Sequence, residues 1–205
     1  MVQKESSVPK RGRPRAYDPT EALKAARDVF WLKGYAATSL DDIVGATGMN
    51  RPSLYAAFGD KEAIYLAALK MQSELLVTAV ASACQLEMKL KPFLDLFFER
   101  CIESYMAGAQ GARGCFLVGT ALTESLMRED VGEVVRSAFG RCEDALEQRF
   151  KRAKKDGDLL KTADARAIAM LMSSTMHEMA MLARAGAKRD MLQQRASMAI
   201  KLMGA

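Results

Sequence analysis

TSLDDIVGATGMNRPSLYAAFGDKE, residues 38–62 of a 205-residue chain, decides how the rest is read. Thr38 or Ser39 caps a short helix, with Asp41 and Asp42 in its first turn, where the helix dipole favours acids. Ile43, Val44 and Thr47 lie in that helix, and Gly48 stops it. Asn50 caps a second helix, Pro52 fits its first turn, and Leu54 and Phe58, four residues apart, face inward. Gly59 and Asp60 then end that helix and open a longer one. Two short helices joined by a tight glycine-containing turn form the pattern of a helix-turn-helix reader of the DNA major groove.

Upstream, Asp18-Pro19 starts a helix over 20–33 whose Ala22, Leu23, Ala26, Val29 and Phe30 share one face, and Gly34 ends it. Residues 1–17 have no apolar periodicity and read as a mobile basic arm. Lys4, Lys10, Arg11, Arg13 and Arg15 against Glu5 give the first 15 residues a charge of +4 out of a total of +5. A basic arm on a near-neutral body points to local contact with a polyanion. Arg11-Gly12-Arg13-Pro14-Arg15 resembles the core of an AT-hook, which lies in the narrow minor groove of A·T-rich DNA; the alternative is a generic basic tail.

Downstream, every patterned segment is helical. A long helix follows Asp60, and further helices are expected over 92–107, 115–126, 131–155, 165–185 and 190–203. Residues 167–183 are apolar nearly all round, so that helix is expected to bury one face on its own domain and another on a second subunit. No apolar run is expected to span a membrane, and the N-terminus has no signal core, so a cytoplasmic location is expected. Cys84, Cys101, Cys115 and Cys142 lack CxxC spacing and there is one histidine, so no metal site, cofactor or enzymatic constellation is expected.

With these residues in view, the chain resembles the TetR family of bacterial transcriptional regulators. The likeness rests on Lys33-Gly34-Tyr35, Thr38-Ser39-Leu40, Asp42-Ile43, Gly48, Ser53-Leu54-Tyr55-Ala56-Ala57-Phe58 and Lys61-Glu62, in that order. Gly114-Cys115-Phe116-Leu117 and the segment 182–187 look like ones found in a subset of that family. The resemblance implies an all-α protein with a three-helix DNA-binding domain at 18–62 and a larger helical domain at 63–205. It implies that the larger domain holds a small-molecule effector and forms a homodimer through the helices at about 165–185 and 190–203. Its members are usually repressors that leave a DNA operator when the effector binds.

On that reading the second short helix is the recognition helix, with Arg51, Ser53 and Ala57 exposed and Asn50 at its entry. Arg51 is the candidate for a guanine contact, its fork matching O6 and N7. Asn50 either reads adenine or only caps the helix. The family match suggests phosphate contacts for Thr38, Tyr55 and Lys61; packing for Tyr55 and a solvated surface position for Lys61 are the alternatives. Phe97, Tyr105, Cys115, Phe116, Met176 and His177 are candidate pocket residues. Cys115, beside Arg113 at a helix start, has the setting of a stabilised thiolate, so a thiol-sensing regulator is one rival reading. An architectural A·T-rich DNA-binding protein led by the arm is the other.

Overall fold

The computed structural model describes residues 17–108 and 111–202. Regular structure there is α-helical: α1 Pro19–Ala37, α2 Leu40–Thr47, α3 Arg51–Phe58, α4 Lys61–Cys84, α5 Leu90–Met106, α6 Phe116–Thr123, α7 Glu129–Lys155, α8 Ala165–Arg184 and α9 Arg189–Leu202. No described residue lies in a strand, and the expected all-α class holds.

The helix ends follow local chemistry. Asp18 accepts the Thr20 N–H at 2.7 Å ahead of Pro19. Asn50 accepts the Ser53 N–H at 2.9 Å and Asp60 the Ala63 N–H at 2.8 Å. Among the boundaries that differ from expectation, three have a local cause. Helical bonding in α1 continues past a kink at Gly34 (φ 78°, ψ 167°) to Ala37. α5 starts at Leu90, because Pro92 is tolerated within a first turn. α6 stops at Thr123, and Leu126 and Met127 stand in solvent, so no packing sustains another turn.

α4 is the spine. Its start packs with α1 and its length with α7. Tyr65 near its beginning touches Phe30 and Tyr35 of α1, with ring centroids 4.9 Å away in each case. Its hydroxyl lies 2.9 Å from Thr120 Oγ1 of α6. By length and composition α4 is apolar enough to cross a membrane, a correction to the expectation that no segment would be. Here its apolar side chains Ile64, Tyr65, Ala68 and Leu69 form core with their neighbours.

α5 sits on α8 and α9, away from α4's main partners. The turn between α4 and α5 is held from α7 instead. Arg149 Nη2 donates to the Met88 carbonyl at 2.7 Å and Arg152 Nη2 to that of Cys84 at 2.5 Å. Lys89 of the same turn pairs with Asp158 at 2.9 Å.

Candidate nucleic-acid interface and core cavity

α2 and α3 owe their placement to a few side chains. Ile43 and Leu54 are fully buried, each contributing about 1.5–3 kcal/mol by leaving water. Ser39 and Asp42 form a reciprocal capping box: Ser39 Oγ accepts the Asp42 N–H at 3.1 Å, and Asp42 Oδ2 accepts the Ser39 N–H at 2.9 Å. Lys33 of α1 bonds Asp42 Oδ1 at 2.6 Å and ties the cap to the preceding helix. These bonds hold the Asp42 carboxyl at about 2, the Lys33 bond being the largest cause. Gly48 turns the chain between α2 and α3 in the left-handed region (φ 67°, ψ 6°), which favours glycine.

α3 shows solvent Arg51, Tyr55, Ala56 and Ala57, with Ser53 half-buried. The alanines keep that surface low. Arg51 is not unpartnered: its Nε and Nη2 both donate to Asp41 Oδ1 of α2, at 3.2 and 2.7 Å. The Asn50 carbonyl oxygen is engaged in capping, which leaves its amide NH2 for other partners. Tyr55 is 45% exposed on the same side. Lys61, at the start of α4, lies over the Tyr35 ring with its Nζ 4.3 Å from the centroid.

Thr38 faces inward. It is only 2% exposed, and its hydroxyl donates inward to the Gly34 carbonyl at 2.6 Å. Its backbone N–H is bonded to the Tyr35 carbonyl. With both donors used, Thr38 has none to offer a phosphate in this conformation; it seals the kink of α1. Arg11, Arg13 and Arg15 lie outside the described residues.

A second cluster, invisible to local patterns, joins α1 to the body. Trp31 Nε1 donates to the Arg113 carbonyl at 2.9 Å, and the Arg113 guanidinium lies 4.1 Å from the Trp31 ring centroid. Arg184, at the end of α8, donates to the carbonyls of Trp31 (2.9 Å), Arg113 (3.3 Å) and Leu32 (3.4 Å). The N–H groups of Arg113 and Gly114 both bond the Tyr105 carbonyl at the end of α5, at 3.0 and 3.1 Å. Gly114 (φ 64°) allows this close approach: a Cβ there would stand 2.4 Å from the Ala180 carbonyl oxygen. Nearby, Arg128 at the start of α7 lies over the Tyr35 and Tyr65 rings and pairs with Glu62 at 3.0 Å.

The gap between α4 and α5 is a cavity of about 370 Å³, within the roughly 300–1,000 Å³ of small-molecule sites. Val80 and Ala83 line it from α4, Leu86 from the turn that follows, Phe97 and Tyr105 from α5, and Met176 from α8. Phe97, Tyr105 and Met176 therefore meet there, as grouped from the sequence. Cys115 and Phe116 do not join them; they line a smaller space of about 160 Å³ beside Phe30, Trp31 and Tyr35. The His177 ring packs tilted against Phe139 of α7, 4.1 Å between centroids, and burial pushes its pKa below 6.5. Arg100, Cys101 and Ser104 also line the larger cavity and were missed. Their signal was present, since 97, 100, 101, 104 and 105 fall on one helical face.

Cys115 corrects a second expectation. It does stand at the start of α6, and the N–H groups of Leu117 and Val118 favour its thiolate, but burial outweighs them and raises its pKa. The cation expected beside it, Arg113, is turned to Trp31 and to Asp28 at 3.3 Å. Burial also pushes Cys101 and Cys142 up to about 12, and Cys84 to about 11. These thiols stay protonated and weakly nucleophilic at neutral pH.

Known proteins share this arrangement. Residues 22–68 match the family of bacterial regulatory proteins, tetR family, and residues 94–199 match the tetracyclin repressor-like C-terminal domain. The HTH-type transcriptional repressor ComR of Escherichia coli (strain K12) is 29% identical over 192 residues, covering 94% of this chain and 91% of ComR. The HTH-type transcriptional repressor BdcR of the same organism is 43% identical over 65 residues, 32% of each chain. Among solved structures, a cysteine-substituted TetR family transcriptional regulator CifR, complexed with 26-base-pair double-strand operator DNA, superposes with a TM-score of 0.82. It is 27% identical, over 93% of this chain and 98% of that one. The two domain matches, which follow one another along the chain, show that it belongs to the TetR family of bacterial regulatory proteins.

Proposed function

We propose that this chain is a transcriptional repressor that binds a palindromic operator as a homodimer and releases it when a small molecule occupies the α4–α5 cavity. The carrying observation is the presentation of α3: a low alanine surface with Arg51 and Tyr55 exposed, on a fold that superposes on an operator-bound regulator. Residues 18–62 form the reading head and 63–205 the sensing and dimerising body. Arg51 reads a base edge, Asn50 caps the helix at its entry, and Ser53, Tyr55 and Lys61 set the register on phosphates. The arm, through Arg11, Arg13 and Arg15, follows the adjacent minor groove. Such a protein works in the cytoplasm, beside the DNA, and is a regulator rather than a catalyst.

Dimerisation is supported by apolar side chains on the outer faces of the last two helices. Met170, Leu171 and Met181 on α8, and Met191, Met198 and Leu202 on α9, are exposed. Together they form the kind of patch that monomers rarely leave in water. Two symmetric heads then meet half-sites one helical turn, about 34–36 Å, or a multiple of it apart.

Release requires that the effector favour a conformation with a different head spacing. The route runs through shared elements. Met176 lines the cavity and Arg184 bonds the α1 carbonyls just ahead of the Gly34 kink, and both belong to α8. Tyr105 lines the cavity with its side chain, and its carbonyl anchors Arg113, which receives Trp31. A shift of α5 or α8 against α4 thus reaches α1 through directed hydrogen bonds. The test is an anisotropy titration of the full chain on duplexes flanking its own gene, against competitor DNA. A regulator prefers one duplex over competitor by about 10³-fold or more; equal affinity for all duplexes defeats the reading.

A further inference from the structure

The α4–α5 cavity has an asymmetric chemistry. Its floor is apolar, with Val80, Ala83, Phe97 and Met176. Among the described residues Arg100 is the only charged side chain lining it. Arg100 shares the α5 face that carries Phe97, Cys101, Ser104 and Tyr105, so it belongs to the wall that looks across at α4. No carboxylate neutralises it: among the described residues Arg100 makes no ion pair, and the adjacent Glu99 is taken by Arg189 of α9. Ser104, one turn beyond Arg100, and Ser82 on α4 add two hydroxyls to the lining.

From this we infer that the effector is a small apolar carboxylic acid, its hydrocarbon body on Phe97 and Met176 and its carboxylate on Arg100. The inference rests on the proposed sensing role of the body and names the ligand class. The guanidinium fork matches a planar carboxylate in bidentate geometry. A single cation balances a single negative charge, which disfavours a phosphate dianion, and an ammonium would face Arg100 with like charge. Cys101 and Tyr105 do not change that balance: burial pushes the Cys101 thiol up to about 12 and the Tyr105 phenol well above its ordinary value, so both stay neutral. Hydrophobic burial supplies affinity, and Arg100 supplies the choice among head groups.

Calorimetric titration of the full chain with octanoate, octanol and octylamine tests this. Octanoate is expected to bind at least tenfold more tightly than octanol, and octylamine more weakly than either. Arg100→Gln, at an exposed position that leaves the core untouched, is expected to cost octanoate about tenfold or more while octanol is unchanged. Arg100→Lys should restore part of the preference for the acid. Equal binding of acid, alcohol and amine overturns the inference, as do an unchanged octanoate affinity in Arg100→Gln and the failure of all three probes to bind. The same titrations with operator present separate this from the regulatory reading. Operator release by octanol and octylamine as readily as by octanoate would leave a regulator whose effector class is wrong. Acid binding through Arg100 with no effect on DNA would keep the ligand class and remove the release mechanism.

Discussion

Replacing Arg51 with alanine should separate base reading from mere attraction to DNA. In the free protein Arg51 gives two hydrogen bonds to one oxygen of Asp41. Both partners are exposed, so giving up that pair costs little. A bidentate guanine contact discriminates by about 1–3 kcal/mol. Two heads double that contact to about 2–6 kcal/mol, a loss of at least roughly 30-fold in Kd. The assay is an anisotropy titration of wild type and Arg51→Ala on the preferred duplex and on scrambled competitor, at fixed salt. Affinity for the preferred duplex should fall by that factor, and affinity for competitor much less. Arg51 touching only phosphate would weaken both duplexes alike and reduce the salt slope by about 1. An Arg51→Ala protein within threefold of wild type on both duplexes would refute the assignment. Since α3 is held by Leu54 and the Asn50 cap, a folding defect is not expected to confuse the result.

Trp31→Phe and Arg184→Met should each lower stability by about 1–2 kcal/mol in urea denaturation, through lost hydrogen bonds that are partly exposed. Because both side chains donate to the Arg113 carbonyl, the double variant should depart from additivity by about 0.5 kcal/mol or more, and strict additivity would dissolve the cluster as a unit. Ser39→Ala should cost about 0.5–2 kcal/mol by removing the cap of α2, seen as a lower urea midpoint with unchanged slope. Asp42 is held at about 2 against its usual 3.8, so its stabilising contribution is complete above about pH 4 and is lost as pH falls through about 2. Amide-exchange protection of α2 should drop over that interval, and Asp42→Asn should flatten the drop. His177 is the only histidine, so its proton NMR titration is unambiguous. Burial places its folded midpoint below 6.5; as pH falls past 6.5 the unfolded chain takes the proton first, and stability declines toward that lower midpoint. A midpoint at or above 6.5 would contradict the packing on Phe139.

The reading head was legible because its determinants are local. Ser39 and Asp42, Asn50 and Ser53, and Asp60 and Ala63 lie three residues apart, and Gly48 marks the turn directly. The side-chain placements were harder. Thr38 stands where a phosphate contact was expected, but its hydroxyl turns to Gly34, an outcome that depends on how α1 kinks. Arg51 gave no sign of its attachment to Asp41, which lies across the turn. In the body, Phe97 and Tyr105 were pocket candidates by character, and helical periodicity could not say which helix they face. Cys115 and Phe116 were grouped with them by character, yet packing puts them beside Trp31. The least legible feature is the bond from Arg184 to Trp31: two residues separated by 153 positions share no pattern that a local reading detects.

Sequence reading by α3 from two symmetric heads underlies the proposed function. It is tested most directly by selecting duplexes from a random pool with the full chain and sequencing those retained. The expected result is an inverted repeat whose half-sites lie about 10 base pairs, or a multiple of that, apart. Arg51→Ala is expected to lose the base preference at one position in each half. A retained pool that is merely A·T-rich, or that contains no repeat, would contradict two-headed reading.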